Sequence, residues 1–168
     1  MNRAILWFRN DLRLSDHLPL QAVLAEVVDL VPVYVLDDRF LEADEWGFQR
    51  TGPYRMQFIL ECLTDLREHL RELGSDLRFY RGRPEEILPQ VAEQYQCEGG
   101  YASRTYTRDE LEVEERLATK MDLRLYHDSP MVHPDDVPFA IDRMPEVFTA
   151  FRKKVEKYSH VREAIPSP

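Results

Sequence analysis

Ala4-Ile5-Leu6-Trp7-Phe8-Arg9-Asn10-Asp11-Leu12-Arg13-Leu14-Ser15-Asp16-His17 is the stretch whose reading decides the fold. Its first five residues are apolar without interruption. A strand with one wet face would alternate, so an unbroken run this short predicts a strand covered on both faces. The chain then turns abruptly polar at Arg9, Asp11, Arg13 and Asp16. That change predicts a loop at the carboxyl end of the strand, the edge where open α/β sheets carry their ligand sites.

Working outward, four more short apolar runs have strand character, at residues 30–36, 77–80, 100–103 and 123–126. Helical patterns lie between them. The clearest covers residues 53–73, where Ile59, Leu63, Leu66, Leu70 and Leu73 recur at spacings of three and four. Arg67, Glu68, Arg71 and Glu72 take its wet face. Thr51 ahead of Pro53 is a start signal and Gly74 a stop signal. A second helix fits residues 84–95, with Pro84 suited to the first turn. A third opens at Thr107-Arg108-Asp109-Glu110, which matches a capping box, and runs to Lys120. Weaker patterns cover residues 19–27 and 145–157. Strands alternating with helices predict parallel strands joined by right-handed crossovers. The expected fold is α/β, a Rossmann-like doubly wound sheet of about five parallel strands in the order 3-2-1-4-5, flanked by helices. Residues 128–143, rich in Pro and Asp, read as a long loop.

The composition is that of an ordinary globular domain: 168 residues, 43% hydrophobic and 32% charged. Residues 1–160 are expected to form one domain. Residues 161–168, closing on Ile165-Pro166-Ser167-Pro168, read as the start of an interdomain linker. A formal net charge of −9 repels phosphate backbones, so strong DNA binding by this chain alone is not expected. Lys153, Lys154 and Lys157 read as the solvated face of the last helix. Cys62 falls in an apolar helical stripe and reads as a core residue; Cys97 shares no CxxC spacing with it. Scattered thiols, no signal-peptide pattern and no long apolar stretch predict a cytoplasmic protein without a membrane partner.

The first strand is not followed by GxGxxG, the chain has only six glycines, and no P-loop is present, so standard dinucleotide and NTP chemistry lose their support. Ser103 has no nucleophile elbow. Of the five histidines, His127 and His133 cluster with Asp135 and Asp136, but without a recognisable ligand spacing, and no metal site is read there. No catalytic residue is assigned. What remains is a set of polar loops gathered at the carboxyl edge: Arg9 and Asn10 after the first strand, Leu36, Asp37 and Asp38 at the end of the second, and Ser103, Arg104 and Thr105 after the fourth. The first and fourth strands flank the switch point of such a sheet, the expected ligand crevice.

Several stretches carry a family resemblance. Leu6-Trp7-Phe8-Arg9-Asn10-Asp11-Leu12-Arg13-Leu14 resembles the opening of the photolyase/cryptochrome N-terminal α/β domain. Gly47-Phe48-Gln49-Arg50-Thr51-Gly52 with Arg55 and Phe58 narrows this toward the cryptochrome-DASH branch. So do His133-Pro134-Asp135-Asp136-Val137-Pro138-Phe139 and Pro145-Glu146-Val147-Phe148-Thr149-Ala150-Phe151-Arg152-Lys153. The resemblance covers essentially the whole chain. It implies a domain that helps bind a light-harvesting antenna, which in relatives is methenyltetrahydrofolate, a deazaflavin or FMN. Arg9, Asn10, Leu36, Asp37, Asp38, Ser103, Arg104 and Thr105, at the loop edge, would line the antenna cleft. The FAD of the family, and the repair of pyrimidine dimers that it drives, belong to a second, helical domain. This chain is therefore expected to bind no FAD and to be inactive as a photolyase alone, its partners being a separate FAD-binding photolyase domain or another protein. The resemblance also implies a glutamate hydrogen-bonded to the pterin ring of a folate; Thr105 stands at that position and lacks the anionic acceptor.

Two other functions fit the residues. One is an interaction module whose apolar patch, drawn from Val132, Val137, Phe139, Met144 and Phe148, receives a protein partner. The other is a small enzyme working in the switch-point cleft, for which the sequence offers no nucleophile, base or metal set.

Overall fold

The structure is a computed structural model that describes residues 1–43 and 45–168. Five parallel strands form one sheet: β1 (Arg3–Phe8), β2 (Asp29–Asp37), β3 (Arg78–Gly82), β4 (Gly100–Ser103) and β5 (Leu123–Tyr126). Their spatial order is β3-β2-β1-β4-β5, as the sequence predicts. Helices α1 (Leu18–Glu26) and α2 (Pro53–Glu72) precede β2 and β3; α3 (Pro84–Tyr95) and α4 (Arg108–Ala118) precede β4 and β5; α5 (Phe148–Tyr158) follows the sheet.

The unbroken apolar run of β1 has the cause the sequence suggests. Ala4, Leu6 and Phe8 enter the core beneath α1 and α2, with Leu20, Val23, Leu63, Leu66 and Leu70. Ile5 and Trp7 point the other way, beneath α3 and α4, with Leu88, Val91, Val113 and Leu117. Side chains alternate across a strand, so two cores demand apolar residues at every position. The edge strand β3 carries Arg78 and Arg81 among mostly exposed positions, which discourages pairing with a further strand.

Several local expectations change. Thr107 does not cap α4: its hydroxyl donates to the Glu110 carboxylate at 2.7 Å, and no side chain caps that helix. The cap of α1 is His17, whose Nδ1 accepts the Leu20 amide at 3.0 Å. Asp16 is drawn off toward the C-terminal segment, where its amide donates to the Ile165 carbonyl at 2.7 Å and its carboxylate accepts the Ile165 amide at 3.1 Å. Cys62 is half-buried rather than in the core, and Leu73 lies exposed at the end of α2. The last helix starts at Phe148 rather than Pro145, and the loop before it contains two single turns of 3-10 helix, at Pro134–Asp136 and Ile141–Arg143. Among the described residues, no helix is long and apolar enough to cross a membrane.

Candidate functional site

The carboxyl edge of the sheet opens into a small cleft on the α3/α4 side. Its apolar lining comes from Trp7, Val35, Phe40, Pro84 and Val113, and its rim from Arg9, Asn10, Asp37, Arg39, Arg50, Asp109 and Glu110. The doubly wound order produces this arrangement: β1 and β2 end side by side, and α3 and α4 begin above them. Asn10 donates to Glu110 at 3.3 Å and stands between this cleft and a second one. Ser103, Thr105, Tyr106 and Thr107 help to line the second cleft.

Arginine–carboxylate pairs frame the main cleft. Arg9 lies over the Trp7 ring, with its guanidinium carbon 4.4 Å from the ring centroid. It donates to the Glu114 carboxylate at 2.5 Å and to the Ser103 carbonyl at 3.2 Å. Glu114 is almost fully buried, and the same oxygen accepts the Thr105 amide at 3.0 Å and the Thr105 hydroxyl at 2.8 Å. Arg39 links Asp37, at 2.7 Å, to buried Glu85, at 2.8 Å. Burial would raise the Glu85 carboxyl, but its own backbone amide, Arg39 and Arg116 outweigh that and hold it below the ordinary range. On the opposite face of β2, burial, with a further contribution from the Asp37 charge and against that of Arg55, pushes the Tyr34 hydroxyl up to about 12. Arg50 meets Asp109 at the mouth, and both side chains are about half exposed.

Behind the second cleft lies a buried polar knot. The Asp11 carboxylate accepts the Arg9 amide at 2.7 Å and the Ser103 hydroxyl, and faces His17 Nε2 at 3.0 Å. Asp128 accepts the Arg13 guanidinium at 2.7 Å and the Leu18 amide at 2.9 Å. Burial alone would raise the Asp11 carboxyl, yet the His17 hydrogen bond and charge, Ser103 and the Arg9 amide together bring it down to about 2. Ligand atoms of Asp11, His17 and Asp128 lie within 4.8 Å of one another, which raises the question of a metal. The capping bond answers it. Because His17 Nδ1 accepts an amide N–H, the proton of the neutral ring sits on Nε2 and donates toward Asp11. Coordination through Nε2 would require an imidazolate, so this donor set does not suit a metal. Elsewhere, His127 shares a 2.5 Å hydrogen bond with Tyr106 and meets His133 edge-on, 5.7 Å between centroids.

The structure thus gathers part of the predicted set. Arg9 and Asn10 line both clefts, Asp37 the main one, and Ser103 and Thr105 the second. Leu36 lies on the opposite face of the sheet, in the core beneath α1 and α2. Asp38 pairs with Arg81 at 2.8 Å, and Arg104 approaches Glu114 to 3.8 Å; neither lines a cleft. Arg50, Asp109, Glu110, Glu85 and Glu114 were not foreseen as site residues. Val132, Val137 and Phe139 are half-buried, with Phe139 against Phe151 at 5.6 Å, whereas Met144 and Phe148 are exposed.

A family profile described as DNA photolyase matches residues 4–168. This chain belongs to the DNA photolyase family. Cryptochrome DASH of Gloeobacter violaceus is 40% identical over 169 residues, covering 98% of this chain and 34% of that protein. Cryptochrome DASH of Synechocystis sp. is 38% identical over 158 residues, covering 91% of this chain and 32% of the relative. The solved Synechocystis sp. cryptochrome superposes with a TM-score of 0.95 at 36% identity, over all of this chain and 36% of its own. A photolyase from Sulfolobus tokodaii, solved with two FAD molecules, superposes at 0.83 with 24% identity, over 98% of this chain and 37% of its own, which is a likeness of fold. The photolyase-family chain therefore spans about a third of the length of these relatives. Its cleft lies within the matched region, at the carboxyl edge of their shared sheet.

Proposed function

We propose that this photolyase-family domain holds a planar aromatic antenna chromophore in the cleft between the ends of β1 and β2. The observation that carries the reading is the lining itself. Trp7, Val35, Phe40, Pro84 and Val113 offer an apolar slot, and the polar rim lies around it, the combination expected of a site for a conjugated ring. Methenyltetrahydrofolate, a deazaflavin and FMN are the candidate chromophores. Thr105, where the resemblance implies a carboxylate for the pterin of a folate, lines the second cleft instead, with its hydroxyl committed to Glu114, and offers this slot no acceptor.

FAD chemistry and DNA repair are assigned to a separate FAD-binding photolyase domain, so the chain alone is inactive as a repair enzyme. The domain is placed in the cytoplasm, and at a net charge of −9 it binds DNA weakly by itself. The test is titration of the purified chain with the three chromophores, followed by their absorbance and by quenching of Trp7. At least one should saturate, and Asn10→Trp, which plugs the cleft from its exposed rim, should abolish the signal. No binding by any of them would sink the antenna reading.

A second reading, a protein-interaction module, draws on the surface around α5. No residue of that helix is buried. Met131, Ile141, Met144, Val147 and Phe148 are all exposed close together in sequence, apolar side chains that a partner surface would cover. Failure of the chromophore titration would favour this reading.

A further inference from the structure

We infer that Arg50 is the anion-recognising residue of the cleft, exchanging Asp109 for a negatively charged tail on the bound aromatic ring. The inference rests on the antenna reading and adds to it the chemical class of the ligand: a flat heteroaromatic that carries a phosphate or similar anion at its outer end.

Three arginines reach the cleft, and they differ in what holds them. Arg9 is buried, bonded to buried Glu114 and to the Ser103 carbonyl, and stacked on Trp7. Moving it would strand a carboxylate inside the protein. Arg39 is similarly tied between Asp37 and buried Glu85. Arg50 is held, among the described residues, by Asp109 alone, with 52% and 55% of the two side chains exposed. An exposed ion pair of this kind contributes little net stability and breaks readily. Asp109, once released, remains in the first turn of α4, where a carboxylate is favoured beside the unbonded amides of a helix that no side chain caps. Exchange therefore leaves nothing buried and unpaired.

Placement supports the role. Arg50 follows Gln49, which pairs antiparallel with Ala43, and it lines the cleft together with Asp109 of α4. Its pair with Asp109 joins elements 59 residues apart across that mouth. A ring entering the cleft would direct its tail outward to this point, where one arginine can turn toward it while the deeper two stay committed.

The experiment compares riboflavin with FMN, which share a ring and differ by the phosphate, in equilibrium titrations at 20 mM and 500 mM KCl. The chain should bind FMN about two- to fivefold more tightly than riboflavin at low salt, the range of one exposed charge-assisted contact, and the gap should narrow at high salt. Arg50→Gln should remove the preference by weakening FMN more than riboflavin, and Arg50→Lys should retain part of it. Asp109→Asn should widen it, because the competing carboxylate is gone. Equal binding of both flavins by the unaltered chain, or an undiminished FMN preference in Arg50→Gln, overturns the Arg50 assignment and leaves the cleft standing. Binding of neither flavin removes the flavin-class ligand and the Arg50 assignment together, while a deazaflavin or folate that still bound would keep the antenna reading.

Discussion

Asp11→Asn is the substitution that most directly probes how the switch-point loop is built. Asp11 is 4% exposed, and its carboxylate accepts from the Arg9 amide and the Ser103 hydroxyl and faces His17 Nε2 at 3.0 Å. Holding that carboxyl at about 2 against an ordinary 3.8 corresponds to about 2 kcal/mol of stability at neutral pH, at about 1.4 kcal/mol per tenfold change in acidity. An asparagine loses this and adds a conflict. Its amide NH₂ would face either the Nε2–H of His17 or the amide of Arg9, two donors in contact. His17 could escape only by moving its proton to Nδ1, which would forfeit the cap of α1. The expected cost is about 2–4 kcal/mol, measured by urea unfolding at pH 7 with tryptophan fluorescence. The sign of the pH dependence follows from a folded-state acidity stronger than that of the unfolded chain. The Asp11 contribution is complete above about pH 4, is about half gone by pH 3, and disappears as pH falls through 2. The gap between the two proteins should shrink over that window. A cost below about 0.5 kcal/mol at pH 7, or a gap unchanged between pH 5 and pH 2.5, would refute this account of the knot.

Further outcomes follow from other contacts. Arg9→Ala strands the buried Glu114 carboxylate and should cost about 3–5 kcal/mol, whereas Arg9→Met combined with Glu114→Leu should recover most of it in a double-mutant cycle. Burial, partly opposed by Arg3, pushes the Cys97 thiol up to about 11. In Cys62→Ser, alkylation of Cys97 at pH 8 should be about tenfold slower in the native protein than in urea, the lower thiolate fraction being partly offset by stronger nucleophilicity. Equal rates would count against that environment. Gly82 closes β3 at φ +143°, and a Cβ there would lie 3.1 Å from the Ile87 side chain, so Gly82→Ala should cost about 1–3 kcal/mol by thermal unfolding.

The fold was legible because its signals are local and repeated. The run from Ala4 to Phe8 lacks alternation because two cores meet at β1, and Pro84 and Gly74 mark boundaries by backbone constraint alone. These features depend on residues close in sequence. The capping of α4 was misread because Thr107 and Glu110 satisfy the capping-box pattern in type, but their side chains bond each other. Composition cannot distinguish that pairing from two reciprocal bonds to backbone amides.

The candidate site was legible only as a set of loops, since its chemistry is assembled across long sequence distances. Arg9 meets Glu114 over 105 residues and Arg50 meets Asp109 over 59. The loop residues Leu36 and Asp38 show the limit of proximity in sequence. Alternation along β2 sends Val35 and Asp37 to the cleft and Leu36 to the opposite core. Strand periodicity, applied residue by residue once the strand order was in hand, would have made that separation. A second signal was also present. Glu85 and Glu114 lie among the inward-facing positions of α3 and α4, beside Leu88 and beside Val113 and Leu117, where a solvated carboxylate has no place. A charge inside an apolar stripe requires a buried cation, and in a doubly wound sheet the loops at the carboxyl edge are the nearest source. Arg9 and Arg39, both in those loops, are the cations that answer it.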